Sequence, residues 1–528
     1  MTEKIVFPSL SQDSEDSLFL QLDSTRLGTL SSAVDYVFHY PYGCLEQRSS
    51  AIMPLVAFGN YIEVFGLQSE VDSPREAVQK EFAEWATVQK KDGGFPYWKD
   101  SGESSLAVSL RIAEILMLAK ENGIEIPRQL DVQKLLSFIQ KKYDECKKER
   151  IGLYAQSYCM YVLSRMGQKF SAAQLDEILK DKNASINALA FASLSAIECG
   201  EKNLAEEAVA KIKNAMALTV RGVVFQSGDF ECWHFFGGKI EQYALCLELF
   251  SKLNPKDFYV DRLVYEMLEL QKAFKGTWRS TAETSRAFIA LDSYIKETYL
   301  EDSDFSAQIL LDGKELLQGE FKGTGANPVN AQFKFASEEI ASVKKEEEIP
   351  LEIKKQGNGT LYYTASMKYA IPAEEQLARD EGLCVYTEIS DARTGKKVDA
   401  FNLKSGEIYR QKVFITSTKD RTFVALRAAV PAGCEIMNAA FATTATVPQR
   451  DEAKGEKTCR FPWSMSHQDI YDAEIRCFWN YLSAGTQSFE FLFRARRMGT
   501  YQTPAILAEC MYEPEIFGRS TGWKCRIE

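Results

Sequence analysis

The sequence predicts an α + β multidomain protein in which a long helical part is followed by antiparallel β domains. Three observations predict this class. The chain has 528 residues, which is enough for roughly three or four domains. Apolar residues recur with the helical period from about residue 25 to 300. After about residue 303 they alternate with polar residues, as in strands that are buried on one face.

The helical part contains about a dozen segments in succession. Apolar stripes run over 106–117 and 132–143, and further helical runs cover roughly 154–166, 184–199, 202–217, 240–252 and 256–274. Ser171 with Gln174, and Ser280 with Glu283, have the spacing of capping boxes and mark two helix starts. Antiparallel helices joined by turns that contain glycine and aromatic residues predict an α/α toroid.

The strand-rich part divides at about residue 375. Before it, Asp312-Gly313 and the segment 356–359 predict turns between β-rich runs such as 361–370. The charged run 344–348 is interpreted as a solvated loop. After it, strands at 384–390, 408–417, 421–430, 473–482 and 487–496 have the spacing of an antiparallel sandwich.

Composition and charge exclude several classes of partner. A net charge of −11 argues against nucleic acid or an anionic membrane surface as partner. No stretch reaches the ~20 apolar residues of a membrane span, so we expect no direct membrane insertion. The first residues lack the apolar core of a signal peptide, and we expect the sequence to have been cut from within a larger protein.

The twelve cysteines are spread so widely that no two lie closer than thirteen positions. No CxxC or zinc-binding spacing occurs, so we expect neither a metal nor another cofactor. Most cysteines, such as Cys159, Cys199 and Cys246, lie in apolar helical patterns and are interpreted as small core residues. The redox compartment therefore stays undecided.

The segment Pro41-Tyr42-Gly43-Cys44-Leu45-Glu46-Gln47 predicts an internal thioester. The Cys44 sulfur can attack the Gln47 carboxamide and expel ammonia, which leaves a stored acyl group. Residues i and i+3 meet on one side of a helical turn, so the two side chains can close a ring at a helix start. Gly43 is expected to permit a sharp entry and a close backbone approach.

Tyr40 to Gln47 as a whole resembles the thioester signature of the bacterial α2-macroglobulin family. Later segments that resemble the family are 91–98, 276–281, 378–383, 430–433, 493–496 and 509–514. The resemblance implies the first part of a CUB-like β domain at 1–22 and a thioester domain, the α/α toroid, at 23–302. The second part of the CUB-like domain would follow at 303–375, and a macroglobulin-like sandwich of the receptor-binding type at 376–528.

The resemblance also implies a function. Members of the family inhibit endopeptidases by trapping them covalently. The target protease cleaves a bait region in an upstream domain of the inhibitor, and lysine amines of the protease then attack the exposed thioester. We expect a single-use acyl donor rather than an enzyme, a monomer, upstream macroglobulin domains as partners, and a periplasmic or cell-envelope location. Shielding of the thioester from water is expected from Tyr40, Tyr42, Met511 and Tyr512.

Three histidines could change the preferred nucleophile from amine to hydroxyl, as in some complement relatives. They are His39, His234 and His467, and core or interface roles are favoured for them, so we expect amines to be preferred. Where relatives usually carry a short acidic and basic run, 467–474 departs from the pattern. Glu46 is interpreted either as a local base or as an exposed carboxylate stabilised by the helix dipole.

Other classes of function fit less well. A turnover enzyme on a toroid, such as a terpenoid cyclase or glycosidase, would need acidic clusters, and no DxDD or DDxxD occurs. A cysteine protease built from Cys44 and His39 is disfavoured as well. Their separation of five residues does not place a general base against the nucleophile with a third group to orient it. A noncovalent binding or adhesion module of the envelope with an inert Cys44 is the alternative. The aromatic residues of the turns at 91–98 and 276–281 are predicted to pack between helices rather than to contact a ligand.

Overall fold

A computed structural model describes most of the chain as two compact units. The described residues are 1–8, 16–24, 30–59, 73–149, 152–225, 235, 238–274, 276–297, 302–324, 328–340, 343, 345–437 and 465–528. The first unit comprises Met1–Val6, Leu18–Phe333 and Ser337–Met367. The second comprises Phe7–Ser17, Lys334–Ala336 and Lys368–Glu528.

The first unit contains twelve α-helices within its described residues, in agreement with the predicted dozen. No helix there is long and apolar enough to cross a membrane. The helices are α1 (Ser31–Phe38), α2 (Leu45–Phe58), α3 (Pro74–Val88), α4 (Leu106–Glu121), α5 (Val132–Glu149), α6 (Leu153–Arg165), α7 (Ala172–Leu179), α8 (Ile186–Cys199), α9 (Lys202–Asn214), α10 (Lys239–Leu253), α11 (Phe258–Ala273) and α12 (Thr281–Glu297).

Several helices begin where a serine hydroxyl satisfies a free backbone N–H of the first turn. The predicted capping box of Ser171 and Gln174 is present at α7. At the start of α12 the Ser280 hydroxyl accepts from Glu283 N at 3.2 Å. The Glu283 carboxylate also accepts from Ile240 N at 3.1 Å, so it caps the start of α10 from a neighbouring helix.

Six helices form a closed ring of contacts. In the order α2, α4, α6, α8, α10 and α12, each helix packs against the next, and α12 returns to α2. These helices are buried on nearly all sides, as in α4, where every residue from Ala107 to Ala119 is buried. Helices α3, α5, α7, α9 and α11 pack against members of the ring. Some of these outer helices bury a single stripe and leave their other residues partly or fully exposed. In α3 the buried stripe consists of Val78, Phe82 and Trp85.

Strands from both ends of the first unit pair with one another. One sheet has the order β1-β8-β5-β6, a second β7-β2-β9, and a short hairpin is formed by β3 and β4. The strands are β1 (Thr2–Val6), β2 (Ser17–Asp23), β3 (Met216–Leu218), β4 (Val223–Phe225), β5 (Asp302–Leu311), β6 (Lys314–Thr324), β7 (Val329–Lys334), β8 (Glu348–Asn358) and β9 (Tyr362–Lys368).

The register of these strands joins the N-terminal strand to strands that follow α12. In β1, Ile5 lies opposite Ile349 of β8, so an N-terminal strand completes a sheet that is otherwise formed after α12. The predicted turn at Asp312-Gly313 joins β5 and β6, and both residues have positive φ, as a two-residue I′ hairpin requires. The predicted turn at 356–359 is partly wrong, because β8 continues to Asn358.

The second unit is a β-sandwich. Its sheets have the orders β10-β21-β20-β14-β17-β16, β11-β13-β18-β15 and β12-β22-β19. The strands are β10 (Arg379–Glu381), β11 (Cys384–Asp391), β12 (Asn402–Leu403), β13 (Ile408–Ser417), β14 (Arg421–Ala429), β15 (Cys434–Ile436), β16 (His467–Ile470), β17 (Glu474–Leu482), β18 (Gly485–Ala495), β19 (Gly499–Thr503), β20 (Leu507–Cys510), β21 (Glu513–Arg519) and β22 (Trp523–Ile527).

The sandwich agrees closely with the alternating pattern of the sequence. All five predicted strands are present, with ends that differ by at most two residues. Inward side chains such as Val413, Leu426, Trp479 and Phe493 form one core between the sheets. One pair is an exception to the predicted antiparallel arrangement, because β12 runs parallel to β22.

Candidate functional site

Cys44 and Gln47 lie side by side at the start of α2. Cys44 is the N-cap residue, and its extended backbone (ψ 161°) turns the chain into the helix. Its sulfur accepts from the backbone N–H of Gln47, while the Gln47 carboxamide oxygen accepts from the backbone N–H of Cys44 at 3.1 Å. This reciprocal capping box places the nucleophile and the carboxamide on the same side of one helical turn.

Both side chains are shut away from solvent, since Cys44 is 0% exposed and Gln47 1%. The pKa of the Cys44 thiol is raised to about 12, chiefly because burial would strip the thiolate of its hydration, and in addition because the Glu46 carboxylate repels a thiolate. A hydrogen bond from the Tyr97 hydroxyl and the N–H groups of the helix start act in the opposite direction on this pKa, but they do not outweigh burial.

Glu46 is fully buried, so the interpretation of it as an exposed helix-start carboxylate is wrong. Its Oε1 accepts from the Ser50 hydroxyl at 2.7 Å, and its Oε2 accepts from the Thr281 hydroxyl at 2.9 Å. Buried carboxylates need such partners, because an unsatisfied charge in the interior is costly. Glu46 therefore ties the start of α2 to the start of α12.

The turn before α4 supplies the residue that touches the sulfur. The Tyr97 carbonyl accepts from Leu45 N at 3.0 Å, and the Tyr97 hydroxyl hydrogen-bonds to the Cys44 sulfur. The turn is anchored behind Tyr97, where Phe95 N donates to the Ser109 hydroxyl at 2.8 Å. Gly93 adopts φ +92°, and a side chain there would approach the Lys134 carbonyl to 2.2 Å, so only glycine fits.

A buried network of charges lies behind the site. The Arg286 guanidinium on α12 donates to both oxygens of Glu114 on α4, at 2.6 and 2.9 Å. Its Nε lies 3.7 Å from Glu241 on α10. Arg111 on α4 donates to the Ala282 carbonyl at 3.3 Å, in the first turn of α12. This network connects helices α4, α10 and α12. Helix α12 also contains Thr281, whose hydroxyl donates to the Glu46 carboxylate.

The residues before Cys44 form an aromatic ladder. Tyr40 packs edge to face on Tyr36 at 5.3 Å and on Tyr42 at 5.5 Å, and Tyr42 is buried. Pro41 and Gly43 are exposed. The close approach predicted for Gly43 is not found, because a side chain at Gly43 would meet no atom of the described residues within 4 Å.

Met511 and Tyr512 lie in the second unit, and their shielding role stays a prediction. Met511 is buried at the end of β20, and its backbone N donates to the Phe423 carbonyl at 2.9 Å. The Tyr512 ring packs edge to face on Phe423 at 5.0 Å.

The histidines named above have local partners where the structure describes them. His39 Nδ1 lies 3.0 Å from Asp35 Oδ1 on the preceding turn. His467 Nε2 lies 2.9 Å from Asp469 Oδ1, and its ring packs on Phe478. His234 lies outside the described residues.

No group of three or more His, Cys, Asp or Glu side chains that could hold a metal occurs in the described part of the chain. The ten described cysteines are all free, and most of them are buried, as predicted for small core residues, although Cys199 is only half-buried and Cys384 is exposed. Cys44 differs from Cys159 and Cys246, which are equally buried, because it lies at a helix start beside a carboxamide.

Sequence reasoning missed two residues of the site, Tyr97 and Thr281. It singled out the two turns that contain them and predicted packing for the aromatic residues. Phe95, Trp98 and Trp278 are indeed buried in the helical core. The signal that could have identified Tyr97 and Thr281 is a hydroxyl-bearing residue in each turn, since a hydroxyl can satisfy buried polar groups elsewhere.

Comparisons with known proteins agree with this architecture. The family model for the bacterial alpha-2-macroglobulin MG10 domain matches residues 382–515. An alpha-2-macroglobulin homolog of Nostoc sp. is 24% identical over 491 residues, which cover 89% of this chain and 24% of that protein. This chain spans about a quarter of the length of the first curated relatives that it matches.

Solved structures share the fold. Native alpha-2-macroglobulin from Escherichia coli, from domain MG7 to the C-terminus, superposes with a TM-score of 0.76 at 20% identity, covering 100% of this chain and 80% of that one. Salmonella alpha-2-macroglobulin reacted with methylamine superposes with a TM-score of 0.75 at 18% identity, covering 100% and 33%. The MG10 match at residues 382–515, the relatives and the shared fold together indicate that this chain is the C-terminal portion of a bacterial alpha-2-macroglobulin family protein.

Proposed function

We propose that this chain carries the covalent part of a broad-spectrum endopeptidase inhibitor, in which a Cys44–Gln47 thioester captures lysine amines of a target protease. The observation that carries the proposal is the buried reciprocal capping box of Cys44 and Gln47. The relatives of this chain are named alpha-2-macroglobulins, which are protease inhibitors rather than catalysts.

The geometry supports closure of the bond. As the Cys44 sulfur adds to the Gln47 side-chain carbonyl carbon, the carbonyl oxygen gains negative charge. The Cys44 backbone N–H, 3.1 Å from that oxygen, can stabilise it as an oxyanion donor does. Collapse forms the S–C bond and breaks the C–N bond. The leaving nitrogen takes the thiol proton and departs as ammonia.

Capture reverses the roles of the groups. An amine of the target adds to the Gln47 carbonyl carbon, the C–S bond breaks, and an amide joins the two proteins. The amine proton is passed to the Cys44 sulfur, directly or through water. One acyl group is consumed for each capture, so the chain acts once and does not turn over.

Further features of the proposal come from the family. The ring of six helices supports the α/α toroid predicted for the thioester domain, and the pairing of β1 with β8 supports a CUB-like domain that the helices interrupt. The boundaries given above, a monomeric state, a location in the periplasm or cell envelope, and cooperation with upstream macroglobulin domains belong to the same proposal.

Intact mass with and without methylamine tests the proposal. The untreated chain is expected to be lighter by about 17 Da, the mass of expelled ammonia, and to gain one methylamine at Gln47 and one alkylatable thiol at Cys44. The Salmonella protein of the comparison is described as reacted with methylamine. Cys44→Ala is expected to abolish both changes, whereas Cys246→Ala, which removes an equally buried thiol on α10, is expected to leave them intact.

An unmodified mass with no methylamine uptake, and with glutamine still present at position 47, would contradict the covalent mechanism. It would favour a noncovalent binding module with an inert Cys44. If the thioester forms, shielding by Tyr40, Met511 and Tyr512 is tested by substitution to alanine, which is expected to speed hydrolysis of the bond.

A further inference from the structure

We propose that the Tyr97 hydroxyl is a catalytic hydrogen-bond donor of the thioester, one that stabilises the Cys44 sulfur as it leaves during capture. The inference rests on the proposed function and assigns a residue outside the Tyr40–Gln47 signature to the reacting atoms. It follows from where the turn before α4 places the phenol.

Both the backbone and the ring of Tyr97 are fixed in position, which places its hydroxyl at the sulfur. Its carbonyl accepts from Leu45 N at 3.0 Å, which fixes the turn to the residue that follows Cys44. Its ring packs edge to face on Trp98, with the centroids 5.6 Å apart. Tyr97 is only 7% exposed, so water competes little for the hydroxyl that meets the sulfur.

The sulfur needs such a donor because its surroundings disfavour negative charge. Cys44 is fully buried, and the Glu46 carboxylate on the next residue but one repels a thiolate. The side-chain hydrogen bond that favours the thiolate comes from Tyr97, and the Gln47 and Glu46 backbone N–H groups of the helix start add to it. Hydrogen bonds to ionised acceptors are stronger than those to neutral ones, so the Tyr97 bond gains strength as the C–S bond breaks.

The step balances without proton transfer from the phenol. When an amine attacks the Gln47 carbonyl carbon, the electron pair of the C–S bond moves to sulfur. Tyr97 keeps its proton and shares it with the developing thiolate. The proton lost by the attacking nitrogen then neutralises the sulfur, and the phenol hydrogen bond returns to a neutral acceptor. An interaction that is stronger in the transition state than in the ground state accelerates the reaction.

The test compares methylamine capture by the full chain and by Tyr97→Phe, which removes only the hydroxyl. The rate of mass gain and the rate of thiol release are measured together. We expect Tyr97→Phe to retain the mass deficit of the thioester but to react roughly tenfold or more slowly. Tyr143→Phe is the matched control, since it removes the hydroxyl of another buried tyrosine, on α5, and is expected to react at the unchanged rate.

Each other outcome overturns the inference. These outcomes are a Tyr97→Phe variant with an intact thioester that reacts at the unchanged or a higher rate, and a folded Tyr97→Phe variant that never closes the bond. If Tyr97→Phe does not fold, 3-fluorotyrosine at position 97 provides a stronger donor of nearly the same shape. It is expected to speed capture, and an unchanged rate would overturn the inference.

Failure of the proposed function looks different from failure of this inference. If the unsubstituted chain shows neither the mass deficit nor methylamine uptake, the thioester itself is absent. If that chain forms and loses the thioester normally while Tyr97→Phe matches its rate, only the role of Tyr97 is wrong.

Discussion

Opposing groups act on a single sulfur atom at the start of α2. Burial and Glu46 raise the pKa of the Cys44 thiol, and the Tyr97 hydroxyl and the backbone N–H groups of the helix start lower it, with a net value of about 12. A thiol of high pKa is a poor leaving group, so an acyl group on Cys44 would be held firmly while the site stays closed. In the proposed mechanism, the same groups would set how fast that acyl group is released.

Glu46→Gln is expected to lower the pKa of Cys44, because it removes the repelling charge while keeping the size of the side chain. The neutral thiol is favoured below its pKa, so a lower pKa increases the thiolate fraction at each pH. In methylamine-treated protein, the pH profile of iodoacetamide alkylation at Cys44 is expected to shift downward by up to about one unit.

The measurement is the rate at which Cys44 is alkylated, followed by mass spectrometry of the peptide that contains it, between about pH 7 and about pH 12, where the buried Cys44 thiol titrates. Glu84→Gln on α3 is the matched control, since Glu84 is exposed, and its profile is expected not to move. A profile of Glu46→Gln that coincides with that of the control would show that the carboxylate does not influence the sulfur.

The first turn of α12 secures the first turn of α2. Thr281 reaches the Glu46 carboxylate at 2.9 Å, and Arg111 on α4 reaches the carbonyl of Ala282. Three helix segments that are distant in sequence are therefore joined at the first turn of α12. Their junction fixes the direction in which α2 leaves Cys44.

Thr281→Val is expected to destabilise the helical unit by about 1–3 kcal/mol, because it removes one donor to a buried carboxylate while keeping the side-chain shape. The measurement is urea unfolding followed by helical circular dichroism. Thr87→Val serves as the control, since the Thr87 hydroxyl bonds the Glu84 carbonyl on an exposed part of α3. It is expected to change the free energy of unfolding by at most about 0.5 kcal/mol, and an equal loss in both variants would refute the role of Thr281.

Local patterns predicted most of the elements and the pair that defines the site. Helical and alternating periods depend on neighbouring residues, and the Cys44–Gln47 pair lies within one turn. The partners of that pair could not be predicted in this way, because Thr281 meets Glu46 across 235 residues. For the same reason the burial of Glu46 and the open surroundings of Gly43 were mispredicted, since both depend on which turns and helices approach α2.

The ring of helices encloses ionised groups as well as apolar ones. Arg286 is 1% exposed and lies between Glu114 and Glu241, with its guanidinium 5.3 Å from the centroid of the Tyr158 ring. The Tyr158 hydroxyl also donates to Glu114. Burial raises the pKa of Glu241, and Arg286 opposes that rise. The arrangement is stable only while each charge keeps its partner.

Arg286→Met is expected to destabilise the helical unit by about 3–5 kcal/mol, because two buried carboxylates lose their common counter-ion. The expected result is a lower urea midpoint for the loss of helical circular dichroism. Arg75→Met, at an exposed position of α3, is the control and is expected to leave the midpoint unchanged. A midpoint of Arg286→Met equal to that of the control would mean that the network does not contribute to stability.

The capping box at α2 makes the reactive pair a product of folding. Cys44 and Gln47 are brought into register only when their backbone N–H groups and side chains satisfy one another at the helix start. Positioning of this kind can raise the effective concentration of one group at another to about 10⁵–10⁸ M, whereas a loose chain offers nothing comparable. An unfolded copy would therefore carry an ordinary thiol and an ordinary amide. The stored acyl group would then serve as a chemical record that a given molecule had reached its native state.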